Sequence, residues 1–107
     1  MSNAAYLCRY RTTIVIPSAG SETVDVPIDG ARDSVTVLRV TGGDLDTATV
    51  ARSPLGGLFE DATAITGTPV AGSGESVTIE EDKPVASLRL VLGSTGGCTV
   101  DIESGGW

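Results

Sequence analysis

The sequence contains no histidine, so it lacks the side chain that most often serves as a general base or a metal ligand. Acidic residues could replace it, and they cluster at Asp44/Asp46, Glu60/Asp61 and Glu80–Asp82. All three groups fall in predicted turns, where Asp and Glu are ordinarily solvated or bonded to the backbone. None matches the twelve-residue calcium loop. The sequence therefore predicts a protein without enzyme activity, cofactor or metal site.

Aromatic residues make up only 4% of the chain: Tyr6, Tyr10, Phe59 and Trp107. A carbohydrate site on a β-sandwich normally presents a platform of exposed rings, whereas three of these rings occupy predicted core or strand positions. The residues themselves therefore give little support to a sugar-binding role. The scarcity of rings also means that Val, Ile, Leu and Ala must build the hydrophobic core.

Positive charge is scarce, and the net charge is −7. The seven basic residues are scattered along the chain: Arg9, Arg11, Arg32, Arg39, Arg52, Lys83 and Arg89. Nucleic-acid binding needs clustered cations. No apolar run approaches the ~20 residues of a membrane span, and Met1–Arg11 lacks the apolar core of a secretory signal. We expect neither nucleic acid nor membrane as a partner, and a place in the cytoplasm or in a larger assembly.

The chain has two cysteines, Cys8 and Cys98, and each lies on the apolar phase of a predicted strand. A thiol in that position behaves as a small buried hydrophobe. The spacing does not match a CxxC metal or redox motif. Two cysteines in a chain without a signal peptide more often stay reduced, although a disulfide is open if the first and last strands are neighbours.

Fourteen glycines and five prolines separate short apolar runs, which is typical of a protein made of many short strands. Alternation with a period of two residues predicts strands at Tyr6–Ile16, Thr23–Ile28, Val35–Thr41, Thr47–Arg52, Ala64–Thr66, Ser76–Glu80, Val85–Leu92 and Cys98–Ile102. No segment has the apolar periodicity of a helix. We predict one all-β domain over residues 1–107, with about eight strands in a two-sheet antiparallel β-sandwich. The sandwich would be jelly-roll-like, with a small barrel as the alternative and flexible termini at 1–5 and 104–107.

Particular residues refine this prediction. Pro27 places the second strand at a sheet edge or at a bulge. The third strand is apolar on both phases, so both faces are covered or a bulge shifts its phase near Leu38. Leu58 and Phe59 are expected to return to the core. The predicted core consists of Ile14, Ile16, Val26, Leu38, Val40, Val50, Leu88, Leu90, Val100 and Ile102.

Val85–Ile102 is predicted to form a hairpin, with two strands joined by a Gly-rich turn. A similar pattern occurs fifty residues earlier over a span of sixteen positions, with identities that include Val35/Val85, Leu38/Leu88, Arg39/Arg89, Thr49/Thr99 and Val50/Val100. These matches indicate either a duplicated hairpin or two hairpins that solve one packing problem. Arg39 and Arg89 lie mid-strand, opposite the leucines. Each either pairs across strands with a carboxylate or donates hydrogen bonds at a subunit interface.

The run Val35–Val50, with Leu58–Asp61, Leu88–Leu92 and Thr99–Ile102, resembles small β-sandwich virion proteins of tailed bacteriophages. In those proteins a strand leads through a Gly turn to x-A-T-V, followed by a G-G-x-F hairpin and a late x-R-L-x-L-x-G strand. The acidic turn Glu80–Lys83 and the long first strand depart from that pattern.

The resemblance implies a non-enzymatic virion protein, assembled in the bacterial cytoplasm and bound to a viral capsid or tail protein. Capsid decoration or cement, head-fibre and tail accessory subunits all fit. The alternative is a free-standing adhesion or carbohydrate-binding module.

Self-association is also expected, because Val35 and Val37, with Leu7 and Val15, would otherwise leave an apolar surface in water. The resemblance makes a homotrimer the first expectation, since a threefold subunit would match a lattice axis. Trp107 follows a Gly-Gly hinge that would let it reach a groove on its own or a neighbouring subunit. The predicted interface residues are Arg39, Arg89, Val35, Val37 and Trp107.

Overall fold

The structure is a computed structural model that describes residues 8–29 and 33–106. Its strands are β1 (Cys8–Ile16), β2 (Gly20–Pro27), β3 (Ser34–Gly43), β4 (Thr47–Ser53), β5 (Thr63–Ile65), β6 (Ser76–Glu81), β7 (Ser87–Ser94) and β8 (Cys98–Gly106). Between these limits the chain contains no helix, and hence none with the length and hydrophobicity that a bilayer crossing requires. The all-β prediction is therefore confirmed. Residues 104–106, predicted as part of a flexible tail, belong to β8, while residues 1–5 and Trp107 lie outside the described residues.

The strands form two four-stranded antiparallel sheets. The first sheet has the order β1-β8-β3-β6 and the second sheet has the order β2-β7-β4-β5. Successive strands alternate between the sheets, except that β4 pairs with β5 in the second sheet. This order is that of a jelly roll, in which two antiparallel sheets close over one core. The sandwich prediction is confirmed, and the barrel alternative is not the fold.

The predicted hairpins are wrong, because β7 and β8 lie in different sheets and so do β3 and β4. Each Gly-rich turn carries the chain across the sandwich from one sheet to the other. We call β3 and β4 with their turn the first crossing, and β7 and β8 with their turn the second crossing. The strands of one crossing pair with those of the other, since β8 bonds to β3 and β7 bonds to β4. In both arrangements the two strands bury one phase against a shared core, so alternation does not distinguish a crossing from a hairpin.

The two crossings share one register. The paired residues are Leu38–Ile102, Arg39–Asp101 and Val40–Val100 in the first sheet, and Leu88–Arg52, Arg89–Ala51 and Leu90–Val50 in the second. Adding fifty to the number of the β3 residue and subtracting fifty from that of the β8 residue converts each pair of the first sheet into a pair of the second. The correspondence ends at a register shift between Val40 and Gly42. Beside it the two turns touch, since a Cβ on Gly43 (φ +76°) would collide with the carbonyl oxygen of Gly97.

The core lies between the sheets. Nine of the ten predicted core residues are buried, and Ile14 is half-buried and packed against them. Leu45, fully buried in the β3–β4 turn, exchanges backbone hydrogen bonds with Ala71 at 2.8 and 3.2 Å. These bonds fix the long β5–β6 connection over the end of the core.

The predictions for β2 and β3 have different outcomes. β2 is an edge strand, as Pro27 indicated. β3 alternates regularly up to Val40, without a bulge near Leu38. Its inward phase begins with two polar residues, and the hydroxyls of Thr36 and Ser104 hydrogen-bond at 3.1 Å inside the sandwich. The outward Val35 and Val37 are half-buried.

Both cysteines are free, Cys8 being exposed and Cys98 buried. Cys8 lies opposite Gly105 and Cys98 opposite Ile16, so the thiols are at opposite ends of the β1–β8 pair, roughly 24 Å apart along the strand. A disulfide needs Cα atoms within about 7 Å, which excludes a bond between them in this fold. The prediction that Cys8 faces the core is wrong, because the register shifts between Cys8 and Tyr10. Burial raises the pKa of the Cys98 thiol.

Candidate interaction surfaces

The outer surface of the first sheet is called here the charged face. The outward side chains include Arg11, Thr13, Val15, Val35, Val37, Arg39, Thr78, Glu80, Thr99, Asp101 and Glu103. Their ionic contacts are loose: Arg11 Nε lies 3.8 Å from Glu103 Oε1, with side chains 68% and 50% exposed. Thr13 Oγ1 donates to Asp101 Oδ1 at 2.6 Å. Charged groups of both signs thus lie on a four-stranded surface that water reaches.

Three of the predicted interface residues, Val35, Val37 and Arg39, lie on the charged face. Arg39 is opposite Asp101 in β8, yet it is exposed and forms no ion pair within the described ranges. A shallow depression of about 360 Å³ is lined by Arg11 and Arg39 and by the carboxylates of Asp101 and Glu103, which lie on β8 between the two arginines. The Arg39 guanidinium is therefore available to a carboxylate from outside.

Arg89 lies on the outer surface of the second sheet, so the structure does not bring the two predicted arginines together. Its Nε and Nη2 donate to Asp25 Oδ1 and Oδ2 at 2.8 and 3.0 Å. The guanidinium also lies 4.0 Å from the centre of the Phe59 ring. The hydrogen bond from Arg89 holds the pKa of Asp25 below its ordinary value. Arg89 thus follows the cross-strand interpretation rather than that of a free interface donor, while Trp107 lies outside the described residues.

Within residues 8–29 and 33–106, the most exposed large aliphatic side chains lie in Pro54–Glu60, a segment between β4 and β5 that we call the leucine loop. Leu55 is 94% exposed and Leu58 is 88% exposed. The prediction that Leu58 returns to the core is therefore wrong. Gly56 has a φ of +89°, a conformation that other residues rarely adopt, and it turns the backbone between the two leucines.

The leucine loop is fixed at its base. The Glu60 N–H donates to the Arg52 carbonyl at 2.8 Å, and Phe59 is held against Arg89. Ser53, immediately before the loop, is fully buried. The segment encloses a shallow apolar cavity of about 480 Å³, lined by Pro54, Leu55, Gly57, Leu58, Phe59 and Glu60. The leucines are therefore presented to solvent from an ordered base.

A sequence signal for this surface exists. Leu55 and Leu58 lie among Pro54, Gly56 and Gly57, outside any alternating run. An apolar residue in such a segment has no strand face through which to reach the core. Their exposure could therefore have been predicted from the missing alternation.

At one end of the sandwich an ion pair joins the sheets. Arg52 Nε, on β4, donates to Glu81 Oε1, on β6, at 2.6 Å. Glu81 Oε2 and the hydroxyl of Ser34, its neighbour in register, are buried and have no hydrogen-bond partner in the described ranges. Nowhere in those ranges are three acidic, Cys or His side chains grouped as a metal site requires. The Arg52–Glu81 ion pair at this end holds one sheet against the other.

The sequence matches no protein-family model and no curated protein. The fold is similar to that of several solved structures. PirA is 18% identical, with 89% of this chain and 93% of that chain covered and a TM-score of 0.53. The Yersinia pseudotuberculosis-derived mitogen YPM is 13% identical, with 92% and 85% covered and a TM-score of 0.53.

A mutant of chitosan-binding module 1, from a chitosanase/glucanase of Paenibacillus sp. IK-5, is 16% identical, with 89% of this chain and 76% of that chain covered and a TM-score of 0.57. At such low identities these likenesses establish a shared fold and leave the function open. The chain is thus a jelly-roll β-sandwich, and its fold is similar to that of proteins as different as a mitogen and a chitosan-binding module.

Proposed function

We propose that this chain is a non-enzymatic structural protein of a bacteriophage virion. It is a capsid decoration or cement protein, or a head-fibre or tail accessory subunit, that self-associates and binds a viral capsid or tail protein. The observation that carries the proposal is the exposure of Leu55 and Leu58, 94% and 88%, on a loop whose base is fixed. Apolar side chains presented in this way are typical of protein contact sites.

The two outer surfaces suit two kinds of contact. Permanent subunit contacts are more apolar than contacts between partners that fold separately. The leucine loop fits the first kind and the charged face the second. Arg39, exposed and without an ion pair in the described ranges, would meet a carboxylate of the viral lattice. The sequence resemblance to phage virion proteins supports the same assignment.

The cavity in the leucine loop also favours binding over catalysis. It is shallow and mainly apolar, and Glu60 is the single ionisable residue of its lining, with no nucleophile and base paired there. Catalysis requires such groups to converge on one reacting atom.

The proposal is tested on phage particles whose genome encodes the chain. We expect density-gradient-purified particles to contain it in a fixed ratio to the major capsid or tail protein. Particles from a deletion mutant should bind added protein, and Arg39→Glu should weaken that binding more than the control Lys83→Glu on an exposed turn. A chain that is abundant in infected cells yet absent from purified particles would refute the virion assignment.

A second candidate is a carbohydrate-binding module. It is favoured by the fold similarity to a chitosan-binding module and by the net charge of −7, because chitosan is a polycation. Against it, Tyr10 and Phe59 are both half-buried, and Arg89 lies against the Phe59 ring. Cosedimentation with insoluble chitosan, with chitin as the matched uncharged polymer, tests it. Binding that persists in about 0.5 M sodium chloride would favour this candidate, because charge attraction alone is screened there.

A further inference from the structure

We propose that the leucine loop is the contact between two copies of this chain, related by a twofold axis. The inference rests on the self-association in the proposed function and specifies its surface and symmetry. Its starting point is that one short segment provides both a projection and a recess. Leu55 and Leu58 project into solvent, and the cavity of about 480 Å³ is lined by the same residues from Pro54 to Glu60.

Such a surface is complementary to itself. When a leucine of one copy enters the recess of the other, the second copy's leucine is placed beside the first copy's recess. Contacts in which the same patch serves both subunits close as twofold dimers. A ring or filament requires projection and recess on different faces. The twofold contact therefore competes with the trimer that the resemblance implied.

The surface around the leucine loop extends the contact. Two leucines alone cover much less than the roughly 800 Å² per partner that a stable interface buries. Beside the loop, Arg89 is paired with Asp25, and the next outward residue of β7 is Val91, which is 38% exposed. Ala64 on β5 is also exposed and faces the same side. The outer surface of the second sheet thus adds small and aliphatic groups around one ion pair that is already satisfied.

The negative charge around the leucine loop makes the salt dependence of binding different for a second copy and for a cationic partner. Glu60 and Asp61 are exposed at the border of the loop, and each copy has a net charge of −7. Repulsion between two such copies opposes the contact and is screened by salt. The dimer should therefore tighten as salt rises. A partner with a cationic rim around an apolar groove would bind Glu60 and Asp61 better at low salt, which is the opposite trend.

Sedimentation velocity on the full chain tests the proposal from about 1 to 100 μM, the range in which a modest interface dissociates. We expect a species with twice the 10.8 kDa mass of the chain. Leu58→Asp should raise its dissociation constant by roughly a hundredfold or more, since each dimer loses two central apolar contacts. The matched control is Val15→Asp, an exposed aliphatic position (68%) on the charged face, which should leave the dimer unchanged. Circular dichroism confirms that both variants fold.

A second readout places the loop at the axis. In a Cys8→Ser background, Leu58→Cys should crosslink between copies with a short bismaleimide, whereas Val15→Cys should not. Cys98 is buried and remains protected in both variants.

A monomer across the whole concentration range, a dimer unaffected by Leu58→Asp, a dimer lost in Val15→Asp, or a mass of three chains would each overturn the proposal. These outcomes are separate from the virion test. A monomeric chain found in purified particles refutes the twofold contact and the proposed self-association but leaves the virion assignment standing, and a dimer absent from particles refutes the virion assignment but leaves the twofold contact standing.

Discussion

Arg39 and Arg89 occupy matched positions on β3 and β7, and they face solvent on opposite sides of the sandwich. Arg89 has Asp25 beside it on β2 and Phe59 against its guanidinium. Arg39 has Asp101 beside it on β8, but that carboxylate accepts a hydrogen bond from Thr13. One arginine is held by two partners, and the other has no ion pair within the described ranges.

The inward residues of the two crossings, unlike the outward arginines, have the same environment. The residues that flank these arginines on the inward phase, Leu38 and Val40 in one crossing and Leu88 and Leu90 in the other, are all fully buried. The two crossings therefore solve the same packing problem inside the sandwich and meet different neighbours outside. Similarity between two segments predicts a shared core environment better than it predicts shared surface chemistry.

The largest expected loss of stability tests whether the inward residues of the two crossings are packed equally well. Leu38→Ala and Leu88→Ala should each lower the free energy of unfolding by about 3 kcal/mol, because each leaves a cavity in a closely packed core. Urea unfolding measures both variants. Val15→Ala, at an exposed position, is the control and should change little. A difference above about 1 kcal/mol between the two leucine variants would show that the crossings are packed unequally.

A smaller effect is expected at Arg52, whose matched position in the other crossing is Ile102. Arg52→Ala leaves Glu81, whose side chain is 6% exposed, without its counter-ion. Removing one partner of a buried pair costs several kcal/mol, and we expect about 2 kcal/mol here because water reaches Arg52. Arg11→Ala breaks an exposed pair on the charged face and should cost less than about 1 kcal/mol. Equal losses would contradict the role of Arg52 in joining the sheets.

Substitution of Arg39 and of Arg89 should have unequal effects on stability. Arg89→Ala removes two hydrogen bonds and the contact with Phe59, whereas Arg39→Ala removes no ion pair of the described ranges. We expect Arg89→Ala to lower the midpoint of thermal unfolding by less than Arg52→Ala does, and Arg39→Ala to leave it within error. An Arg39 variant as unstable as the Arg89 variant would remove the distinction between the two faces.

The smallest effect concerns pH. The hydrogen bond from Arg89 lowers the pKa of Asp25 from its ordinary value of 3.8. The unfolded chain therefore binds a proton at Asp25 more readily than the folded chain does. The stability from this pair is present above pH 3.8 and is lost as pH falls through the lower folded pKa. The effect should be small, because the two side chains are 42% and 51% exposed.

The measurement is the urea midpoint at pH 7 and near pH 3, compared with Asp25→Asn. The wild type should lose more stability than the variant on acidification. An equal loss in both would mean that Asp25 contributes nothing to acid sensitivity.

The sequence pattern predicts the interior well and the candidate site poorly. Val35, Val37 and Arg39, predicted at an interface, do lie on an outer face, but the predicted interface does not include Leu55, and Leu58, predicted in the core, is exposed. An inward residue is recognised by alternation, which is a property of one strand. The partner of an outward residue, as for Arg39 and Arg89, depends on which strand lies beside it, and that information is not local.

The sequence by itself determined that short alternating strands build one aliphatic core, and that Pro27 lies on an edge strand or at a bulge, because the two-residue period and the missing N–H of proline act within a few residues. Only the tertiary structure decided that β7 and β8 are in different sheets, that Cys8 and Cys98 are too far apart to bond, and that the leucine loop stays in water. A short Gly-rich turn can close a hairpin or cross a sandwich equally well. The choice between them is made when two sheets bury their apolar faces together, and that burial depends on the whole chain.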